Sequence, residues 1–276
     1  MGKKWGRAEV LAYFRANPGE WYGEAGHLKL LSGLKRYLPA APDEAGQPII
    51  GLDVGCCIGE YLVHFEGLLR SERAQILAFE PNPGNVRILR HEMERHPQCQ
   101  LFQCCLSDVN ARQVPFFFAG ARTNPEGRNG EGSLRAAGAR ICNTDVYRLD
   151  GFLESRYGED LWIQFAKIDT EGNDTNVIKG MGRYLQRTRC LIFECHHLLH
   201  GDQGPGIERP VQDIVEYLDA RGFDTYRIGT RKIIPMNDRY WDPLYESVRY
   251  FTNCFVVKKD DPVIRALVDD KFDYLF

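Results

Sequence analysis

Residues Gly51–Tyr61 read GLDVGCCIGEY, and the reading of this stretch decides the fold. The apolar run PIIGLDVG leads through it, and EYLVHFEGLLRS at its far end has helical spacing. The stretch is therefore the turn from a strand into a helix. Asp53 sits at the strand end, and glycines follow at Gly55 and Gly59. Glycine allows the backbone to approach a ligand closely and to take positive φ. A dinucleotide-binding turn carries G-x-G-x-x-G here, so that a pyrophosphate rests on the helix N-terminus. This chain instead has D-x-G-x-x-x-G. An acid just before the first glycine repels a pyrophosphate and suits a ligand with a cationic amino group or a sulfonium.

The second strand, QILAFEP, ends in Glu80, and a carboxylate there can accept both hydroxyls of a ribose. One acid at the first turn and one after the second strand describe a nucleoside with a positive tail, and S-adenosylmethionine is such a ligand. Asn82, a good N-cap, opens the helix NPGNVRILRHEMERH. Farther on, CQLFQCCL and QVPFFFAG read as strands, YRLDGFLESRYG as a helix, and LWIQFAKIDTEG as a strand running into a turn. DTNVIKGMGRYLQR is helical, CLIFECHH a strand, and RPVQDIVEYLDARG a helix closed by Gly222. The strands FDTYRI and NCFVVKK close the chain, and the long link GTRKIIPMNDRYWDPLYESVRYFT between them fits an antiparallel last strand. This alternation predicts an α/β fold: a doubly wound, mostly parallel seven-stranded, Rossmann-like sheet, with ligands beyond the carboxyl ends of its strands. Before it, two helical patterns broken at NPGEW lead into the Pro-, Ala- and Gly-rich PAAPDEAGQP. Residues 1–47 are thus expected to form an N-terminal helical cap on a domain covering 48–276.

The balance of 35 Lys and Arg against 38 Asp and Glu argues against an extended nucleic-acid surface. No stretch approaches the ~18 apolar residues of a membrane span. MGKKWGRAEV has no apolar region after its charges and is not a secretory signal. Nine cysteines with no CxxC, set in apolar runs such as FQCCLSD, read as buried free thiols of a reducing compartment. The expectation is a cytoplasmic protein whose partner is a small-molecule or glycan acceptor. The oligomeric state stays open.

In order, LDVGCCIGEY, AFEPNPGNVRIL, CCLSD, GSL, YRLDGFL and AKIDTEGNDTNVIKG resemble the motifs of the FkbM-type S-adenosylmethionine-dependent methyltransferases. FEPNP and KIDTEG are the specific blocks. The resemblance runs from about Ile49 to Lys258 and leaves out the first 47 residues. It implies the class I methyltransferase fold and methylation of hydroxyl oxygens on sugars and natural products. It also implies site roles. Asp53, Gly55 and Gly59 would border the methionine end of the cofactor, Glu80 would hold the ribose, and Asn82 would lie near the adenosine. Ser107 and Asp108 would lie near the adenine, and Asp169 and Glu171 would line the transfer site. One departure is Cys56–Cys57, where small residues such as Gly-Ala are more usual.

Methyl transfer to a hydroxyl requires in-line alignment and a proton acceptor. Asp169 and Glu171, two apart at a strand end, face the same way. They suit a base with a raised pKa, a grip on substrate hydroxyls, or a divalent metal, which the pattern permits but does not demand. Asp174, just before TNVIKG, reads first as a helix cap. FECHHLLH brings Glu194, His196, His197 and His200 to the end of strand five. His196 is a candidate general base and His197 a substrate contact. His196 and His200 have metal-ligand spacing only if the chain is helical there, and HExxH is absent. Trp21 and Tyr22, between glycines in GEWYGE, suit either an aromatic lid on a sugar or a staple fixing the cap to the core. Arg128 and Arg135 in a Gly- and Arg-rich loop suit an anionic acceptor or plain solvation. Tyr240, Trp241, Tyr245, Tyr250 and Phe251 suit carbohydrate binding or dimer packing.

The function expected is methyl transfer from S-adenosylmethionine to a hydroxyl of a sugar, glycan or small natural product. N-methylation of a small molecule is the rival within the enzyme class. A non-catalytic partner-binding module would show a damaged cofactor turn, and this turn is intact. A nicotinamide oxidoreductase would show G-x-G-x-x-G, which is missing.

Overall fold

The computed structural model describes residues 4–21, 24–42, 47–118, 130–134, 139–195, 209–247 and 252–276, and of Trp21, Glu24 and Ala25 the backbone only. The chain divides into two compact units, one of Met1–Pro39 with Ile192–Phe276, the other of Ala40–Leu191.

In the second unit, β1 (Ile49–Val54) lies between β2 (Ala74–Phe79) and β8 (Trp162–Ile168), and β3 (Cys99–Phe102) lies beyond β2, every pairing parallel. The sequence of β1, IIGLDV, is buried at each position, and β8 is buried at all but its first. Near-continuous apolar runs of this kind belong to parallel strands covered on both faces. The helices α3 (Leu62–Leu69) and α4 (Pro83–Glu92) follow β1 and β2, as the alternation predicts. Asn82 caps α4 with its side-chain oxygen on the Gly84 amide at 2.8 Å, and Pro83 occupies the first turn.

A four-stranded sheet in this unit is absent from the sequence-based expectation. It runs β4 (Cys105–Ser107), β7 (Arg140–Arg148), β5 (Ala111–Phe118), β6 (Gly132–Ser133). The expected strand CQLFQCCL breaks after Phe102, where the Cys104 amide turns back to the Phe102 carbonyl, and its second half joins the small sheet. β7 is RICNTDVYR, half-exposed residues alternating with the buried Thr144 and Val146. That is a period-two pattern with weak apolar contrast, which hides among the polar residues around it. Cys105, Phe116 and Val146 form the small core beneath it. Next come α5 (Leu149–Tyr157), α6 (Asp174–Gly180) and β9 (Thr188–Glu194), the strand along which one unit gives way to the other in sequence.

In the first unit, α1 (Arg7–Ala16) and α2 (Glu24–Tyr37) keep company with α7 (Pro210–Asp219), β10 (Phe223–Ile228), β11 (Ile233–Pro235), α8 (Leu244–Ser247), β12 (Asn253–Lys258) and α9 (Val263–Leu267). β10 pairs antiparallel with β12, as the long link predicts, and also with β11. β11 carries the large sheet to eight strands where seven are expected. The buried Glu20 explains how the N-terminal helices are held. It accepts bonds from the Tyr13 hydroxyl (3.1 Å), the Thr230 hydroxyl (3.0 Å) and the Arg231 amide (3.0 Å). Tyr245 is fully buried edge-on to Phe14, and the Tyr240 hydroxyl donates to the Trp5 carbonyl at 2.9 Å. These two aromatics of the link are core residues of this unit. Tyr250 and Phe251 lie outside the described residues.

All nine cysteines are free thiols, and only Cys57 and Cys142 are not fully buried. Among the described residues, no helix is long and apolar enough to cross a membrane.

Candidate active site

The site forms in the second unit, where the ends of β1, β2 and β8 lie side by side. Register fixes its first pair. Asp53 is level with Ala78 on β2 and Lys167 on β8. The turn after β1 needs its glycines. Gly55 has φ +75°, and a Cβ there would stand 1.7 Å from the Asp169 carbonyl oxygen. Gly59 has φ +92°, and a Cβ there would press on Leu89 of α4 at 2.8 Å. Side chains at either position would push apart the two turns, or the turn and the helix.

Glu80 binds the turns together. One oxygen accepts the Cys57 amide at 2.9 Å, the other the Asn82 amide at 2.8 Å. Burial pushes its carboxyl up to about 7, against the pull of those hydrogen bonds. Cys57 has φ +48°, so the second cysteine of the unusual pair carries backbone strain and aims its amide at Glu80. Asn85, which the sequence reading passes over, is buried beneath. It bonds both the amide and the carbonyl of Gly130, each at 2.9 Å, and Asn82 adds a bond to the same carbonyl at 3.2 Å. These two asparagines pin Gly130 to the start of α4. Beyond it Ser133 donates to the Glu171 carbonyl at 2.7 Å.

Asp53 is fully buried, and its two carboxylate oxygens accept no hydrogen bond among the described residues. Burial raises its carboxyl to about 6, with the Lys167 cation pulling down and Asp169 pushing up. A buried carboxylate that accepts no hydrogen bond is costly, and it is tolerated where a ligand supplies the missing donor. Lys167, also unremarked in the sequence reading, is the visible anomaly in IQFAKI, a lysine inside an otherwise apolar strand. Its Nζ donates to the Gly55 carbonyl at 2.9 Å and lies 3.3 Å from Asp169 Oδ2 and 3.8 Å from Asp53 Oδ1.

After β8, Asp174 organises the KIDTEG turn. It accepts from the Thr170 amide (3.2 Å), the Thr170 hydroxyl (3.1 Å) and the Gly172 amide (3.2 Å). It opens α6 and holds the loop before it. The Asp169 side chain stays 34% exposed. Glu171 takes φ +52°, and burial, then the charges of Asp169, Glu131 and Asp174, raise its carboxyl. Ser107 and Asp108 are placed by α6. Gly180 packs where a Cβ would meet the Ser107 carbonyl at 2.0 Å, Asn173 donates to the Leu106 carbonyl at 2.8 Å, and the Ser107 hydroxyl donates to Asp108 at 3.2 Å.

The structure thus brings together Asp53, Gly55, Glu80, Asn82, Lys167 and Asp169. Glu171 and Asp174 join them through Asp169. Glu194 is buried at the end of β9. His196, His197, His200, Tyr22, Arg128 and Arg135 lie outside the described residues, as does the side chain of Trp21. The donor set fits S-adenosylmethionine. A buried acid with two open oxygens answers a cationic amino acid end, Glu80 keeps lone pairs for ribose hydroxyls, and the glycines let the turn close against the Asp169 carbonyl and Leu89.

Residues 53–225 match the model of the Methyltransferase FkbM domain, well over half of the chain. Hexuronic acid methyltransferase AglP of Haloferax volcanii is 26% identical over 189 residues, which cover 68% of this chain and 73% of that protein. 2-O-methyltransferase NoeI of Sinorhizobium fredii is 28% identical over 161 residues, 55% of this chain and 64% of that protein. A crystal structure of an FkbM methyltransferase from Methylobacillus flagellatus KT superposes with a TM-score of 0.44 at 15% identity, over 76% of this chain and 43% of that one.

Proposed function

Since the chain belongs to the FkbM methyltransferase family, we propose that it moves a methyl group from S-adenosylmethionine to a hydroxyl oxygen of a sugar or glycan. The observation that carries the cofactor half is Asp53, sealed at the end of β1 with two open carboxylate oxygens, one strand away from Glu80. The acceptor half draws on Asp169 and Glu171 and on the two relatives, a hexuronic acid methyltransferase and a 2-O-methyltransferase.

Bound S-adenosylmethionine supplies an electrophilic methyl on a positive sulfur. The chain's residues do the rest. Asp53 pairs with the amino group, Glu80 accepts the ribose hydroxyls, and Gly55 lets the turn after β1 pack against the turn that carries Asp169. Asp169, positioned by its ion pair with Lys167 at 3.3 Å, accepts a hydrogen bond from the acceptor hydroxyl and aligns it. Glu171 takes the hydroxyl proton, its raised carboxyl being matched to work near neutral pH.

The test is transfer of isotopically labelled methyl from S-adenosylmethionine onto a panel of neutral sugars, uronic acids and amino sugars. Label in an alkali-stable methyl ether supports the reading. Label only on amines would replace it with N-methylation, which the acids Asp169, Glu171 and Glu131 would serve as ammonium binders. No transfer to any of them, in a protein that binds the cofactor, would remove the sugar assignment.

A further inference from the structure

We infer that Lys167 is a positioning residue that joins the two halves of the site. Its ammonium bridges the acid at the methionine end, Asp53, and the acid at the acceptor end, Asp169, and supplies the charge that keeps Asp53 a carboxylate. This rests on the site reading given above.

Parallel register sets Lys167 beside Asp53 on the same sheet face. The lysine is 7% exposed, its ammonium 5.3 Å from the Tyr61 ring centre. A lysine so enclosed survives as a cation only beside opposite charge, and it has Asp169 at 3.3 Å and Asp53 at 3.8 Å. Its hydrogen bond goes to Gly55, so the Asp53 oxygens stay open for a ligand. The groups facing Asp53 come from three elements. β8 and its turn bring Lys167 and Asp169. Asp53's own turn brings Cys56 and β3 brings Cys99, both thiols pushed up by burial and therefore neutral. Glu80 lies beyond Cys56. Among these described groups the one cation is Lys167.

Removing that cation lets Asp53 take up a proton at higher pH. At neutral pH a ligand amino group would then meet a neutral acid. Above the new titration range the carboxylate returns, and a ligand ammonium no longer competes with the lysine for it.

The experiment is calorimetric titration of S-adenosylhomocysteine into the wild type, Lys167→Met, Lys167→Arg and Asp53→Asn between about pH 7 and pH 8.5. The ratio of variant to wild-type affinity at each pH cancels the ligand's own titration. Because loss of a neighbouring cation moves a carboxyl by about 1–3 pH units, Lys167→Met is expected to bind about tenfold more weakly at pH 7. The gap should close by pH 8.5, and Lys167→Arg should keep the wild-type profile. A gap that is constant with pH would overturn the inference and leave Lys167 as scaffolding. Should Lys167→Met fail to fold, the ratio of wild type to Asp53→Asn decides. A flat ratio means that Asp53 is held ionised, and a ratio that climbs with pH overturns the inference. Absence of binding by the wild type is a separate outcome, and it would remove the cofactor site itself.

Discussion

The turn after β1 and the turn after β8 are both short, acid-bearing and glycine-bearing, and each divides its acids between two jobs. At the first, Glu80 reaches in from the end of β2 and spends both oxygens on backbone amides, of Cys57 and Asn82, while Asp53 at the end of β1 keeps both of its own open. In the second, Asp174 spends its oxygens on Thr170 and Gly172, while Asp169 faces outward. They differ in exposure. Asp53 is sealed at 0%, whereas the Asp169 side chain keeps 34%. A cofactor of fixed structure is served by a closed, preorganised acid whose cost the protein carries in advance. An acceptor that must enter and leave is served by an open one. Lys167 stands between them and touches both.

The comparison is broken most severely at Gly55. Gly55→Ala places a methyl group against the Asp169 carbonyl at a positive φ, so the two turns would separate. It should cost about 3 kcal/mol or more in urea unfolding and abolish S-adenosylhomocysteine binding. Next is Glu80→Ala, which frees two backbone amides and removes the ribose acceptor. Affinity for S-adenosylhomocysteine should fall by about 100-fold in calorimetry, the scale of losing bonds to a buried charged group. Asp174→Ala tests the structural acid of the other turn. It should lower stability by about 2 kcal/mol and leave cofactor affinity within a few-fold, because it bonds Thr170 and Gly172 of its own loop.

Asp53→Asn sharpens the contrast at smaller scale. Burial raises the Asp53 carboxyl from 3.8 to about 6, so the folded chain holds that proton more tightly than the unfolded chain. Its contribution to stability is complete below pH 3.8 and is lost as pH rises through about 6. At pH 7 the ionised group is a cost. The asparagine variant should therefore be more stable than the wild type by about 1–2 kcal/mol in thermal unfolding at pH 7, and no more stable at about pH 4. It should bind the cofactor poorly at both.

Much of this was legible in the sequence because strand ends advertise themselves. Asp53, Glu80 and Asp169 each follow an apolar run, and Asn82 precedes a helix. One buried strand pattern therefore placed three acids at one sheet edge. What stayed hidden is carried by residues whose role depends on register or on distant partners. Lys167 matters because β8 lies level with β1, which no spacing in the sequence states. Asn85 matters because it meets Gly130, 45 residues away. The small sheet escaped because β7 is mostly half-exposed, so its alternation carries little apolar contrast. The aromatics Tyr240 and Tyr245 suited carbohydrate binding and dimer packing equally and pack as core, since sequence shows aromatic content but not which side of it is covered.

The most direct test of the account is calorimetry of the wild-type chain and Glu80→Ala with S-adenosylhomocysteine at neutral pH. One-to-one binding by the wild type, weakened about 100-fold in the variant, is the result the account predicts. Equal affinity in the two proteins would contradict the ribose assignment, and absence of binding by the wild type would contradict the cofactor site as a whole.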